Sequence, residues 1–236
     1  MKLVTGLIVL AAAVVPTIAH AQDEGAAEVI VSAMRRNADD YSADMPAVGL
    51  RRTADFAIQE VTITGDTRDA GQRADEIYAM LANAIAGASK AGVQLAFGER
   101  VVQAVTLKNY RDLSLERDSR PDSQQLKFLV KSPLAAGTDA ASAQARINAF
   151  IKAVTPVGRA LMEASGDLTL SVVAPDQYRG AIADAIAADA RTLSARFGPD
   201  YAVEVEGLNR PVEWARAGLS EVLLYIPYKL VIVPKR

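Results

Sequence analysis

The chain has 236 residues, half of them hydrophobic and 23% charged, with 26 basic side chains against 28 acidic ones. That near balance, with 6% aromatic residues, fits neither a strongly basic nucleic-acid binder nor a highly charged disordered chain. Cysteine is absent, which excludes disulfides, thiol nucleophiles and Cys-ligated metals, and histidine occurs once.

Lys2 gives a short positive start, Leu3 to Ala19 is an almost continuous apolar run, and Ala19-His20-Ala21 is the small-x-small triplet a signal peptidase accepts. This pattern predicts a cleaved signal peptide over 1–21, a flexible leader over 22–27 and one domain over 28–234. The run is at the lower limit for crossing a bilayer and contains Pro16, so processing is expected, with no transmembrane span left after it. No cysteine follows the run, so no lipoprotein anchor is expected. The expected location is periplasmic or secreted. Cleavage removes His20 with the signal peptide, so the mature chain cannot build a Ser-His-Asp triad, a Cys-His pair, a zincin site or a His-ligated haem.

Glu28 to Ala33 reads as a short strand, and 35–53, polar with Pro46 and Gly49, as a loop. Ala54 to Gly65 is the first long strand; its alternation shifts between Ile58 and Val61, as a bulge would shift it. Ala70 to Ala91 carries Ile77, Leu81, Ile85 and Ala88 at helical spacing, with Gly92 placed for a left-handed C-cap and Asp66, Thr67 or Asp69 as N-cap candidates. Val93 to Leu107 returns to strand character with a turn or bulge at Gly98, and 108–123 is a charged, Pro-marked exposed turn. Leu126 to Lys131 is a strand. Asp139 to Val154 is a second helix, capped by Thr138 or Asp139.

Asp167 to Val173 alternates as a half-buried strand, and Asp176 is placed to cap a third helix whose stripe is Ile182, Ile186, Ala190, Leu193 and Phe197. Gly198-Pro199 ends it. Tyr201 to Val205 is a short strand, 206–218 a loop around Trp214, and Glu221 to Val233 a terminal strand interrupted at Pro227, which suits an edge or a bulge. The predicted class is α+β: one mostly antiparallel sheet with about three helices on one face.

In this order the elements resemble the SIMPL family, also called DUF541, of bacterial exported proteins. The carriers are "EVIVS" (28–32), "ADFAIQEVTITGDTRDAGQRADEI" (54–77), the "KAGV" turn (90–93) and "AIADAIAADARTLSARFG" (181–198). The resemblance covers 28–234; the stretches 35–52 and 206–218 depart from the family's pattern. It implies an envelope protein, periplasmic or associated with the outer membrane, acting by oligomeric assembly or in stress response, with no catalytic residue to carry over. "EVIVSAMRR" (28–36) also looks like the start of a TonB-dependent receptor plug, but a 22-stranded barrel does not fit in this length.

No catalytic residue, metal ligand or cofactor site is assigned. Glu204 and Glu206 share a strand face and are the nearest approach to an acid/base or metal pair; Asp184 and Asp189 lie on the polar side of the third helix. Arg35-Arg36 and Arg51-Arg52 flank the first loop, with Asp39, Asp40 and Asp44 between them to neutralise it. Candidate interaction residues are Trp214 with Arg210 and Arg216, and Tyr225 with Tyr228 on the last strand. Trp214 either anchors a partner or closes one end of the core. The expected function is a non-enzymatic exported envelope protein that self-associates, as a homo-oligomer, or binds another periplasmic or outer-membrane protein, with no nucleic acid involved. The alternative is a periplasmic small-molecule binder or a carboxylate-dependent hydrolase.

Overall fold

The computed structural model describes residues 28–31, 46–98, 102–135 and 139–235. The expected signal peptide and leader, Arg35, Arg36, Asp39, Asp40, Asp44 and Thr138 lie outside the described residues. The elements, in chain order, are β1 (Glu28–Val31), β2 (Leu50–Thr53), β3 (Phe56–Gly65), α1 (Ala70–Ala91), β4 (Gln94–Phe97) and β5 (Gln103–Ala104). Then follow β6 (Glu116–Arg117), β7 (Gln124–Pro133), α2 (Ala140–Ala153), β8 (Leu161–Val173), α3 (Arg179–Phe197), β9 (Tyr201–Glu206), β10 (Glu213–Arg216), β11 (Glu221–Tyr225) and β12 (Lys229–Pro234). The fold is α+β. The main sheet runs β1-β8-β3-β7-β4-β5, with β6 beside β7; β10-β11-β2 and β12-β9 form two smaller sheets. Every one of these strand pairs is antiparallel.

Local chemistry sets the helix ends. Asp69 caps α1, its Oδ1 accepting the Gln72 amide at 2.8 Å, and Gly92 ends it at φ 68°. Asp139 caps α2 through the Ser142 amide at 2.7 Å. The apolar stripes of both helices then meet β3 and β7 in one core: Ile77, Leu81 and Ala84 of α1, Ile147 and Phe150 of α2, Val61 and Ile63 of β3, Leu126, Phe128 and Val130 of β7. A second cluster joins Ile182 and Ile186 of α3 to Leu170 and Val172 of β8 and to Val222 and Leu224 of β11. The bulge expected in β3 lies between Ile58 and Glu60 against β8, and Gln59 fills it, its amide nitrogen donating to Ser165 O at 2.6 Å and Gly166 O at 3.1 Å.

Several boundaries differ from the sequence reading. The predicted loop 35–53 contains β2, and the predicted loop 206–218 contains β10; both flank β11 as its partners. Their sequences, Leu-Arg-Arg-Thr and Glu-Trp-Ala-Arg, carry no apolar alternation, so pairing with β11 and not local pattern makes them strands. Their arginines are engaged in place: Arg52 forks onto Asp55 (2.6 Å), and Arg216 donates to three backbone carbonyls. The single terminal strand is two strands in separate sheets, because Pro227 ends the ladder instead of interrupting it. β8 begins at Leu161, ahead of the expected Asp167, through a polar half that pairs with β3 but carries little hydrophobic signal. The strand read over 93–107 is split into β4 and β5, and the turn 108–123 holds the short β6 and a 3-10 turn at Tyr110–Asp112. Asp176 does not cap α3. It sits in a 3-10 turn (Pro175–Tyr178) and accepts the Val212 amide at 3.2 Å, while α3 starts at Arg179 with no side-chain cap bond.

Candidate functional site

The structure divides the sequence-predicted interaction residues into two groups. Trp214, Arg216 and Tyr225 belong to the framework. Trp214 lies opposite Leu224 on β11 and packs, half-buried, against the second core cluster, the core-closing arrangement. The Arg216 guanidinium is spent on Gly218 O (3.0 Å), Leu168 O (3.1 Å) and Leu219 O (3.1 Å), tying β10 to β8 and to the turn before β11. Tyr225 is buried opposite Glu213.

Arg210 and Tyr228, in contrast, come together at the surface. With Glu206, Gly207, Glu213, Pro227 and Lys229 they line an open cavity of about 390 Å³. Arg210 lies 3.8 Å from Glu213, and burial pushes the Tyr228 hydroxyl above its ordinary pKa, reinforced by the charge of Asp189. The lining holds two acids, Glu206 and Glu213, and two cations, Arg210 and Lys229, so its own charges largely compensate one another.

A second cavity, about 430 Å³, was not anticipated from sequence. Thr64, Asp66, Asp118, Arg120, Arg159, Leu161 and Glu163 line it. Arg159 forks onto Asp66 at 2.7 and 3.0 Å and holds that carboxyl below its ordinary range. The Ser119 amide and the Ser123 hydroxyl do the same for Asp118. Beside them the Glu76 carboxylate accepts from Thr67 Oγ1 (2.5 Å), the Arg159 amide (3.1 Å) and Gln72 (3.0 Å), and these bonds lower its pKa. A general acid needs its pKa raised toward neutrality; these three groups are shifted the opposite way. The sequence signal for this cluster was slight: Asp66 was visible only as a helix-cap candidate, and Arg159 stands in a stretch without periodicity.

Glu204 and Glu206 do share an exposed face of β9, as their spacing requires, opposite Val231 and Lys229 of β12. No group of three or more acidic side chains among the described residues converges as a metal site would. Asp184 is exposed and Asp189 half-buried on α3.

The largest departure from a well-buried core is at the C-terminal end. In the β9–β12 ribbon, Ala202, Val203, Val205, Leu230, Val231, Ile232 and Val233 are all only half-buried. α3 packs along β9, yet of its predicted stripe only Ile182 and Ile186 are buried; Ala190 and Leu193 are half-buried and Phe197 is 50% exposed. The Phe197 ring meets Tyr201 edge-on, with centroids 6.4 Å apart, on the outside of the molecule. Among the described residues no helix is long and apolar enough to cross a membrane. Comparison of the chain with protein-family models, with curated proteins and with solved structures finds no match.

Proposed function

We propose that this chain is a non-enzymatic exported protein of the bacterial cell envelope, SIMPL-like in kind, that acts through self-association. The observation carrying this reading is the C-terminal ribbon, seven aliphatic side chains on two strands that the rest of the described chain covers only in part. A two-stranded ribbon is marginal by itself, and aliphatic surface of this kind is the usual material of subunit contacts. The polar cavities support the same reading. Asp66 is matched by Arg159, Glu213 lies beside Arg210, and hydrogen bonds hold Asp118 ionised, which suits a fixed electrostatic framework better than proton transfer. Export is carried by the charged start, apolar run and Ala-x-Ala triplet of residues 1–21.

The test is expression of the full-length chain in a Gram-negative host, followed by osmotic release, N-terminal sequencing and light scattering on the released protein. The reading requires a product beginning at Gln22 and a mass above that of one chain. Retention in the cytoplasm with an intact signal peptide removes the export half, and a single-chain mass at all concentrations removes the assembly half.

A further inference from the structure

The outer edge of β12 is the one part of this surface whose geometry specifies a partner. Among the described residues β12 pairs only with β9, in the register Lys229↔Glu206 to Pro234↔Tyr201. Just beyond that register the Lys235 amide donates to Asp200 O at 2.8 Å. Backbone groups of an antiparallel ladder alternate in direction along a strand. The amides of Val233 and Val231 therefore face β9, and those of Leu230 and Ile232 face outward. Position 234 also faces outward, but proline has no amide hydrogen.

We propose that β12 pairs antiparallel with β12 of a second copy of this chain, about a two-fold axis through Val231, to give a continuous sheet β9-β12-β12′-β9′. The inference rests on the self-association reading above and specifies its contact. The register follows from the donors. Centring on Val231 sets Leu230 against Ile232′ and Ile232 against Leu230′, so all outward amides and carbonyls of these residues pair, and both prolines stay outside the pairing. Centring on Ile232 instead sets Leu230 against Pro234′ and leaves the Leu230 carbonyl without a donor.

Charge selects β12 over the other edge of the ribbon. Pairing β9 with β9′ brings Glu204 and Glu206 of each copy close to those of its mate, whereas β12 carries no acidic residue. In the proposed register Val205, Leu230, Ile232′ and Val203′ make one unbroken aliphatic row on the face that carries Val205 into the second core cluster. On the other face Lys229 stays beside its own Glu206, and Val231 meets Val231′. The pairing runs from Lys229 opposite Val233′ to Val233 opposite Lys229′, with Pro234 beyond it, so its length is limited and open-ended growth is opposed. A second copy is the occupant because the same edge is then complementary to itself, as a two-fold contact demands.

The chain has no cysteine, so a thiol placed on β12 is the only one present. Val231→Cys puts the two sulfurs at a non-hydrogen-bonded pair, with Cα atoms about 4.5 Å apart, within disulfide range. In Val233→Cys the two Cα atoms are separated by roughly 14 Å along the strands, beyond bridging. With oxidised glutathione as oxidant and the full exported protein as sample, V231C is expected to form a disulfide-linked dimer and V233C to remain single on a non-reducing gel. Equal rates for the two, or no dimer from V231C, overturn the pairing. Ile232→Pro deletes an outward amide that the β9 ladder does not use but the Leu230′ carbonyl requires, and is expected to drop the light-scattering mass to that of one chain, with an unchanged far-UV spectrum showing that the fold is kept. Oligomeric wild-type protein together with I232P of unchanged mass refutes this contact while leaving self-association in place. Wild-type protein of single-chain mass refutes both.

Discussion

Lys131 on β7 reaches past β3 and β8 to form a buried ion pair with Glu28 on β1. On the way its ammonium passes 4.1 Å from the centre of the Phe56 ring, and Ser171 Oγ donates to the second Glu28 oxygen at 2.6 Å. The four-residue β1 is thereby fastened to the sheet by more than its ladder with β8. Both charges are removed from water, so the pair matters most when one member is missing.

Glu28→Ala leaves the Lys131 ammonium buried without its counter-charge. It is expected to lower stability by about 3 to 5 kcal/mol, read from urea unfolding. The double variant Glu28→Gln/Lys131→Met removes both charges and is expected to recover most of that loss. If the single and double variants are equally unstable, the pair is not the source of the effect.

Glu76 sits directly over Gly158: a Cβ at that glycine would lie 2.2 Å from the Glu76 carboxyl carbon, and the backbone there has φ 55°. Gly158→Ala therefore meets both a clash and left-handed strain, and is expected to cost about 2 kcal/mol or more. The same carboxylate sets a pH dependence. Its pKa in the folded chain is below the ordinary 4.5, chiefly through the Thr67 hydroxyl, so its contribution is complete above pH 4.5 and is lost as pH falls through the folded value. Asp66, Asp118 and Asp139 shift in the same direction from 3.8. The unfolding midpoint, followed by fluorescence of the single Trp214, is expected to fall on acidification below pH 4.5. Glu76→Gln is expected to show a smaller fall over the same range; an identical acid profile would count against this assignment.

Arg216 illustrates a charge used for structure. Its planar fork serves three carbonyls at once, which an ammonium cannot reproduce. Arg216→Lys is expected to destabilise the chain by about 1 to 3 kcal/mol and to increase amide exchange in β10 without altering the mass of any assembly. A change of mass with unchanged exchange would instead place Arg216 in a contact surface.

The sequence disclosed the elements whose own pattern suffices. α1 carries its stripe, its Asp69 cap and its Gly92 stop, and β3 carries its alternation together with the shift that became the bulge at Ile58/Glu60. β2 was illegible because its strand character comes from β11, far away in the chain, and β10 because its four residues carry no alternation and become a strand only by pairing back onto β11 across a short turn; the arginines of both read as loop until Asp55 and the Leu168 carbonyl are in place. α3 misled in another way. Its stripe is regular, yet burial stops after Ile186, since periodicity reports which face is apolar and not whether anything covers it. Of the candidate residues, Arg210 and Tyr228 reached a common cavity, while Asp66, Asp118 and Arg159 converge only through the pairing of distant segments.

Completion of the aliphatic C-terminal ribbon by another copy of the chain is read from light scattering on the exported protein, diluted from high to low micromolar concentration. A mass of at least two chains is expected at the upper end, falling toward one chain on dilution or in Ile232→Pro. A mass of one chain throughout, with the ribbon amides equally exchangeable at both ends of the series, would show that no second copy covers the ribbon.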